Sequence, residues 1–249
     1  MHSYTDFAQI YDELMERVPY EKWGAYIKAK LRTHLGKTAH RPIIADIACG
    51  TGVMTMELAK SGYDMIGIDI SADMLTIAQQ KCYDANQQVL FLCQDMRKLD
   101  LYGTVDAFIC VCDGLNYILQ PNELQNIFKR VQLFLNPGGV FIFDMNTEYK
   151  FKRQLGQRSF EDKSKSGVIY GLDNYYDENT KINEYQVEFY PNGKNGKSFS
   201  EIHKQRAYDS TEVLDMLKNA KFSTTSVFHD YTDMPPQEDC ARFTYVGIL

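Results

Sequence analysis

The chain has 249 residues, an apolar fraction of 44% and a formal net charge of −6. This length suits one large domain, or one domain with a sizeable insertion. The acidic balance argues against binding nucleic acid or an anionic membrane through a basic face. No basic stretch followed by an apolar run opens the sequence, and no apolar run approaches the roughly 18 residues of a membrane span. We therefore expect no secretory signal, no membrane span and no nucleic-acid partner.

The six cysteines are scattered, and none has the CxxC or Cys/His spacing of a metal site. Four of them lie in or beside apolar runs, where cysteine usually packs as a small buried side chain. The pattern favours reduced thiols in a cytoplasmic protein without a bound metal.

The first 36 residues are predicted to be helical, with apolar residues from Phe7 to Leu14 at helical spacing and a second helix from about Glu21 to Leu35. Short apolar strands then alternate with helices as far as residue 150. The five predicted strands lie in RPIIADIACG, YDMIGIDIS, QVLFLCQDM, VDAFICVCDG and VFIFDMN. Such a pattern indicates a parallel sheet covered on both faces, which is a doubly wound α/β fold.

Two helices in this part carry recognisable end signals. Ser71 is predicted to cap the helix that follows the second strand. The sequence NPGG at 136–139 is predicted to end the amphipathic helix that starts at Asn122.

After residue 150 the pattern changes to alternating strands. Three strand-like segments lie at 166–177, 182–190 and 199–208, with a predicted hairpin loop at 191–198. The α/β pattern then resumes with a helix at 210–220 and two final strands. We expect these two strands to pair as an antiparallel hairpin. We expect a helical cap at 1–36, an α/β domain formed by 37–150 and 208–249, and an inserted antiparallel β lid at 151–207.

Gly50 and Gly52, in the segment IIADIACGTGV, lie between a predicted strand and a predicted helix. A dinucleotide-binding fingerprint needs a third small residue where this sequence has Thr55. No Gly-Lys-Ser/Thr follows, which excludes a phosphate loop more firmly. The glycines therefore suit the close approach of another kind of ligand.

Four aspartates fall at or near the ends of successive predicted strands: Asp46, Asp69, Asp95 and Asp113. The ends of parallel strands form one rim, along which ligands bind. Four acids there would repel a phosphate-bearing ligand and attract a cationic ligand with hydroxyls. Asp69, about 20 residues after the glycines, suits a ribose diol, and Asp95 is placed to accept from the amine of adenine.

These motifs resemble, in order, those of the class I S-adenosylmethionine-dependent methyltransferases. DIACGTG resembles their first motif, IGIDIS the second, CQDM the third and DAFICVCDGLNYI the fourth, while LNPGGVFIFD resembles the segment that leads into their fifth strand. The resemblance spans about residues 40–147 and 208–249. It implies a Rossmann-like fold with a seven-stranded, mostly parallel sheet, an antiparallel β insertion after the fifth strand, and S-adenosyl-L-methionine as cofactor. The opening segment and EIHKQRAY are similar to a bacterial branch that methylates small molecules.

The resemblance also implies a cofactor site, composed of Tyr11, Asp46, Gly50, Gly52, Asp69, Ile70, Met74, Asp95, Met96 and Cys112. The two glycines would approach the methionine part, with Asp46 nearby, and Asp69 would bind the ribose hydroxyls. Ile70, Asp95 and Met96 would contact adenine, and the Cys112 backbone would lie near the methionine amino group. Tyr11 is expected to close over the cofactor. Met74 is expected to line the adenine pocket, with core packing as an equal alternative.

The methyl acceptor is expected just past the fourth strand, at Asp113, Asn116 and Tyr117. Ordinary turn chemistry is an equal alternative for these three residues. His203, Arg206 and Tyr208 are further candidates, although a solvated strand face is favoured for a histidine among charged neighbours such as His203. The aromatic residues of the insertion favour either a lid over the acceptor or a homodimer interface.

Three functions are compatible with these patterns. A methyltransferase that acts on a small molecule by in-line displacement fits best. An NAD(P)-dependent oxidoreductase is disfavoured by Thr55, by the additional acids of the rim and by the antiparallel end of the sheet. A catalytically silent, cofactor-binding protein on the same fold cannot be separated from the first by sequence.

Overall fold

The computed structural model describes residues 3–36, 40–191 and 198–249. The side chain of Phe7 and the predicted loop residues 192–197 lie outside the described part. The helices are α1 Ser3–Leu14, α2 Tyr20–Leu35, α3 Val53–Lys60, α4 Ala72–Asp84, α5 Pro121–Phe134 and α6 Ser210–Asn219. The strands are β1 Ile43–Ile47, β2 Asp64–Asp69, β3 Leu90–Cys93, β4 Val105–Cys110, β5 Leu135–Asn146, β6 Arg158–Lys163, β7 Ile169–Asp177, β8 Ile182–Tyr190, β9 Phe199–Arg206, β10 Thr224–His229 and β11 Arg242–Ile248.

A seven-stranded sheet in the order β10-β11-β5-β4-β1-β2-β3 forms the body of the protein. Strands β1 to β5 are parallel, and β11 enters antiparallel between β5 and β10. This confirms the predicted Rossmann-like sheet and its closing antiparallel hairpin. Among the described residues, no helix is both long and apolar enough to cross a membrane.

Successive residues of the central strands pack into different cores, because side chains along a strand alternate between its two faces. Phe108 of β4 joins the core beneath α5 and α6. Its neighbour Ile109 joins the core beneath α2 and α3. Both are fully buried, and a side chain of this size contributes about 1.5–3 kcal/mol when removed from water.

The insertion forms a second, antiparallel sheet in the order β6-β7-β8-β9. One of its faces carries Val187 and Phe189, which pack with Ala8 of α1 and Met74 of α4 in a third apolar cluster. The helix α1 therefore lies against both α4 and the inserted sheet, and so connects the insertion to the main domain.

The structure differs from the predicted elements at β6, at the start of β5 and at Lys150–Leu155, where a short π-helix was not predicted. Strand β6 was missed, because five of the six residues of RSFEDK are exposed and give no apolar alternation. Helix α5 ends at Phe134, and residues 136–139 belong to β5, where the pairing with β4 shifts register between Val105 and Ala107. Ser71 caps α4 as predicted, accepting from the Met74 backbone N–H at 3.3 Å.

Candidate functional site

The loop between β1 and α3 carries both glycines in left-handed conformations, with φ of +54° at Gly50 and +74° at Gly52. A Cβ at Gly52 would lie 2.9 Å from the Ala78 Cβ, so glycine allows α3 to begin close against α4. A Cβ at Gly50 would meet no described atom within 4 Å, which shows that this part of the loop faces open space.

Asp46 lies under this loop and is 1% exposed. Its Oδ2 accepts from the Thr55 hydroxyl at 2.5 Å, while Oδ1 has no hydrogen-bond partner among the described residues. Burial raises the pKa of the Asp46 carboxyl to about 7, against the opposing effect of the Thr55 hydrogen bond. A buried carboxyl oxygen with unused accepting capacity suits a hydrogen-bond donor brought by a ligand.

A cleft of about 170 Å³ opens beside the loop, at the carboxyl ends of β1, β2 and β3. Four of the predicted cofactor residues line it, namely Asp69, Ile70, Asp95 and Met96, together with Tyr117. Ile70 is 65% exposed, so its side chain offers an uncovered apolar surface beside these carboxylates. The cleft therefore combines acidic groups with an apolar wall, which suits a ribose joined to a flat base.

The carboxylates of Asp69 and Asp95 already have protein partners. Asp69 accepts from the backbone N–H of Gly50 at 2.8 Å and of Ser71 at 2.9 Å. Burial nevertheless raises the pKa of Asp69 above its ordinary value. Hydrogen bonds from Arg97 lower the pKa of Asp95, whose two oxygens both accept from the Arg97 guanidinium. Any ligand contact by Asp95 would share or replace the Arg97 contact.

The turn after β4 is held by a buried ionic network. Asp144, fully buried at the end of β5, accepts from the backbone N–H groups of Cys112 and Asp113, both at 2.7 Å. These two residues have φ of +63° and +56°, so the carboxylate stabilises a strained turn. Arg242 of β11 and the Tyr231 hydroxyl also donate to Asp144. The Cys112 backbone N–H is thereby committed to Asp144.

Two of the predicted acceptor contacts have structural partners instead. Asp113 accepts from Arg242 at 2.8 Å and from the Gln205 amide at 2.6 Å. Asn116 is fully buried, and its amide bonds the backbone of Asn146 and the carbonyl of Arg206. The structure thus places Asn116 between β5 and β9 and away from the cleft surface, because its hydrogen-bonding groups are used to join these strands.

Tyr11 and Met74 were both expected near the cofactor, but the structure puts them in two different surroundings. Burial and the nearby Cys112, Tyr117 and Asp113 raise the pKa of Tyr11 well above its ordinary value, which puts the phenol beside the turn after β4. Met74 is buried among the residues of α1 and the inserted sheet and is not among the residues that line the cleft. The structure favours the core-packing alternative for Met74, and its contact with adenine stays a prediction.

A contact between α1 and the glycine loop was not predicted. Asp12 accepts from the Thr51 hydroxyl at 2.6 Å and forms an ion pair with Lys81 of α4. The importance of Asp144 was also missed, although the sequence carries the signal: it follows an apolar strand, as Asp46 and Asp69 do. For Arg242 no local signal exists, since its partners Asp113 and Asp144 lie 129 and 98 residues away in the sequence.

Tyr117 connects the cleft to the inserted sheet. It is 42% exposed, and its hydroxyl lies 2.8 Å from the Tyr185 hydroxyl and 3.2 Å from His203 Nδ1. Of the residues predicted for the acceptor, Tyr117 is thus the one that borders the cleft. Of the further candidates, His203 joins this cluster, while the Tyr208 hydroxyl donates to the buried carbonyl of Ile118 at 2.6 Å.

The similarity to known proteins extends over the whole chain. A model of the methyltransferase domain matches residues 44–139. The Bacillus subtilis protein YqeM, which carries a methyltransferase name, is 35% identical over 97% of this chain and 95% of its own length. A crystal structure of an S-adenosylmethionine-dependent methyltransferase from Clostridium acetobutylicum superposes with a TM-score of 0.87 at 30% identity, covering 99% of this chain and 98% of that one.

A third similarity covers part of the chain. The dTDP-3-amino-3,6-dideoxy-alpha-D-glucopyranose N,N-dimethyltransferase of Streptomyces fradiae is 28% identical over 56% of this chain and 52% of its own length.

Proposed function

The chain belongs to the S-adenosylmethionine-dependent methyltransferases, and we propose that it methylates a small molecule by direct in-line transfer. The observation that carries this proposal is the position of Tyr117, which borders the cofactor cleft and also contacts the inserted sheet. An acceptor beside Tyr117 would lie in a space bordered by the main domain and by the inserted sheet of the same chain. Such a space favours a compact molecule over a polymer.

The residues of the cleft fit the cofactor. We assign the open space at Gly50 to its methionine part, with the unused Oδ1 of Asp46 nearby. We assign the ribose hydroxyls to Asp69, and the adenine to Ile70 and Met96. The cofactor, when bound, supplies a methyl group on a sulfonium, which is electrophilic without a metal. The protein then contributes mainly alignment, for which roughly 7–11 kcal/mol of barrier reduction is available.

We further propose that residues 1–36 and 151–207 act as a cap and a lid around this site. The contacts of α1 with α4 and with the inserted sheet support this division. The aromatic side chains of Tyr185 and Phe189 face into the chain, which favours the lid over a homodimer interface for this face. All six cysteines, each within the described residues, are free thiols, which supports a cytoplasmic location.

The first experiment measures cofactor binding. Calorimetry with S-adenosylhomocysteine should give a dissociation constant that rises at least tenfold in Asp69→Ala, because the ribose loses its acceptor. Asp64→Ala, at the exposed start of the same strand, is the matched control and should bind as the wild type does. Equal binding by Asp69→Ala would refute this assignment. If the wild-type protein bound NADPH and bound neither S-adenosylhomocysteine nor S-adenosylmethionine, an oxidoreductase would be favoured.

The second experiment concerns the acceptor. The amino-sugar methyltransferase of Streptomyces fradiae acts on an amine, and we propose a small amine or hydroxyl compound as the acceptor here. Transfer of a radioactive methyl group from S-adenosylmethionine to a panel of amino sugars, amino acids and sugar alcohols would test this. Label found only on added RNA or protein would overturn the small-molecule proposal.

A further inference from the structure

The cluster formed by Tyr117, Tyr185 and His203 has a geometry that ordinary packing does not require. Tyr185 of β8 and His203 of β9 are register partners, and their rings stack with centroids 4.8 Å apart. The Tyr117 hydroxyl reaches both of them, at 2.8 Å from the Tyr185 oxygen and 3.2 Å from His203 Nδ1. Three polar atoms of aromatic side chains thus meet at one point.

This meeting point faces the cleft and not the outer surface of the inserted sheet. Residues of β9 alternate, so that Ile202 is 59% exposed while the side chain of Gln205 is buried and reaches Asp113. His203 lies on the same face as Gln205. Tyr117 lines the cleft together with Asp69 and Ile70. The Tyr117 hydroxyl is therefore the link between the cofactor cleft and His203.

One arrangement of protons that satisfies both contacts leaves the Tyr117 oxygen able to accept from a bound molecule. A phenol has one proton and two lone pairs. If the Tyr117 hydroxyl donates to His203 Nδ1 and accepts from Tyr185, one lone pair remains for a proton on a bound molecule. This requires a neutral His203 with its own proton on Nε2. Burial lowers the pKa of His203 below its ordinary value, which favours that neutral form near pH 7.

We propose that the methyl acceptor is an amine or a hydroxyl compound whose proton is taken by the Tyr117 oxygen, while the Tyr117 proton passes to His203 Nδ1. Tyr117 is then the catalytic residue, His203 the proton acceptor acting through it, and Tyr185 a positioning residue that fixes the phenol. The proposal rests on the proposed function and names the substrate class for the same site.

The step balances in atoms and charge. A lone pair of the acceptor nitrogen or oxygen forms the new bond to the methyl carbon, and the carbon–sulfur pair leaves with sulfur. The acceptor N–H or O–H bond breaks, and its electron pair stays on the nitrogen or oxygen as the new lone pair. The Tyr117 oxygen gains one proton and loses one, so no phenolate accumulates. His203 becomes an imidazolium and later gives its proton to water. General-base assistance of this kind contributes about 10²–10⁴ in rate.

Several other titratable groups lie near the cluster of Tyr117, Tyr185 and His203. Tyr11 of α1 and Asp113 and Cys112 of the turn after β4 lie close to Tyr117 and Tyr185. Glu201 lies two residues from His203 on the same face of β9. Arg242 compensates the charge of Asp113. Because the base is the neutral imidazole, kcat should rise with pH to a plateau, with its midpoint below the ordinary histidine value of about 6.5.

The primary test needs no acceptor. Long-range nitrogen NMR on the complex with S-adenosylhomocysteine should show His203 as the Nε2–H tautomer, with signals assigned from the His203→Gln spectrum. In Tyr117→Phe the pKa of His203 should rise, because Nδ1 loses the donor that favours the neutral ring. An Nδ1–H tautomer, or an unchanged pKa in Tyr117→Phe, would overturn the proposal.

The second test separates a proton relay from a structural role. With any compound of the panel that is methylated, Tyr117→Phe and His203→Gln should each lower kcat at least a hundredfold, and His203→Gln should abolish the rise with pH. His34→Gln on α2 is the matched control. His203→Gln, whose side chain is not part of the cleft lining, should bind S-adenosylhomocysteine with wild-type affinity. If the wild-type protein did not bind S-adenosylhomocysteine, the proposed function would be refuted. If His203→Gln kept the kcat of the wild type, only the proton relay would be refuted.

Discussion

Replacing Arg242 by methionine should destabilise the protein strongly. The Arg242 side chain is 9% exposed, and it donates to Asp144, which is fully buried, and to Asp113. Its guanidinium also lies 4.8 Å from the centre of the Trp23 ring. Methionine keeps most of the length that packs on Trp23 but leaves the Asp144 charge without a counterion.

The size of the effect follows from what Asp144 retains. Removal of one partner from a buried ion pair costs about 3–5 kcal/mol. Asp144 keeps two backbone N–H groups and the Tyr231 hydroxyl, so we expect the lower end, about 3 kcal/mol. At roughly 2–4 °C per kcal/mol for a chain of this size, the melting temperature should fall by about 6–12 °C. Urea denaturation followed by circular dichroism would measure the free energy directly.

An exposed ion pair supplies the control. Arg17 pairs with Asp162 at 3.2 Å, and the two side chains are 88% and 41% exposed. Arg17→Met should therefore cost less than about 1 kcal/mol. If Arg242→Met cost no more than Arg17→Met, the Asp144 carboxylate would not be desolvated, and the reasoning about the network would be wrong.

Three further perturbations test single features of the site. Asp46→Asn should flatten the dependence of stability on pH between about 4 and 7. In the folded wild type the pKa of Asp46 is raised to about 7, so Asp46 keeps a proton that the unfolded chain has lost. The stability of the wild type therefore falls as pH rises through this window. Denaturant titrations at pH 5 and 7.5 measure the difference. Gly52→Ala should cost about 1–3 kcal/mol more than Gly62→Ala in thermal unfolding, because both positions have positive φ but only Gly52 has a close neighbour for a Cβ. Asn116→Ala should cost about 2–3 kcal/mol by leaving buried backbone groups without partners, with the affinity for S-adenosylhomocysteine unchanged.

Each of these has a clear contrary result. If the free energy of unfolding of Asp46→Asn changed with pH as steeply as that of the wild type, the titrating group would be a residue other than Asp46. Equal melting temperatures for the two glycine variants would mean that backbone strain alone acts at Gly52. A stable Asn116→Ala with impaired turnover would return Asn116 to the acceptor site, as the sequence had suggested.

The sheet and the glycine loop could be predicted because their signals are local. The glycine loop directly follows an apolar strand, and Asp69 ends the next apolar strand, so both strand ends could be read from the sequence. Ile70 was added from the resemblance to methyltransferases. Strand β6 could not be found, since its exposed residues carry no pattern. Similarly, Asp113 looked like an available acid, because its partners Arg242 and Gln205 lie 129 and 92 residues further along the chain. Spacing within a motif carries no information about such partners.

The same long separations bear on the time at which the site forms. Asp144 and Arg242 are 98 residues apart, and the contact of Glu13 with Ser166 spans 153 residues. Contacts of this kind are made after the entropy of closing a long loop has been lost, so they usually form late in folding. Interactions absent from the transition state mainly slow unfolding. The buried network therefore governs how long an assembled cleft persists, while the speed of folding depends on the parallel strands that are built before it.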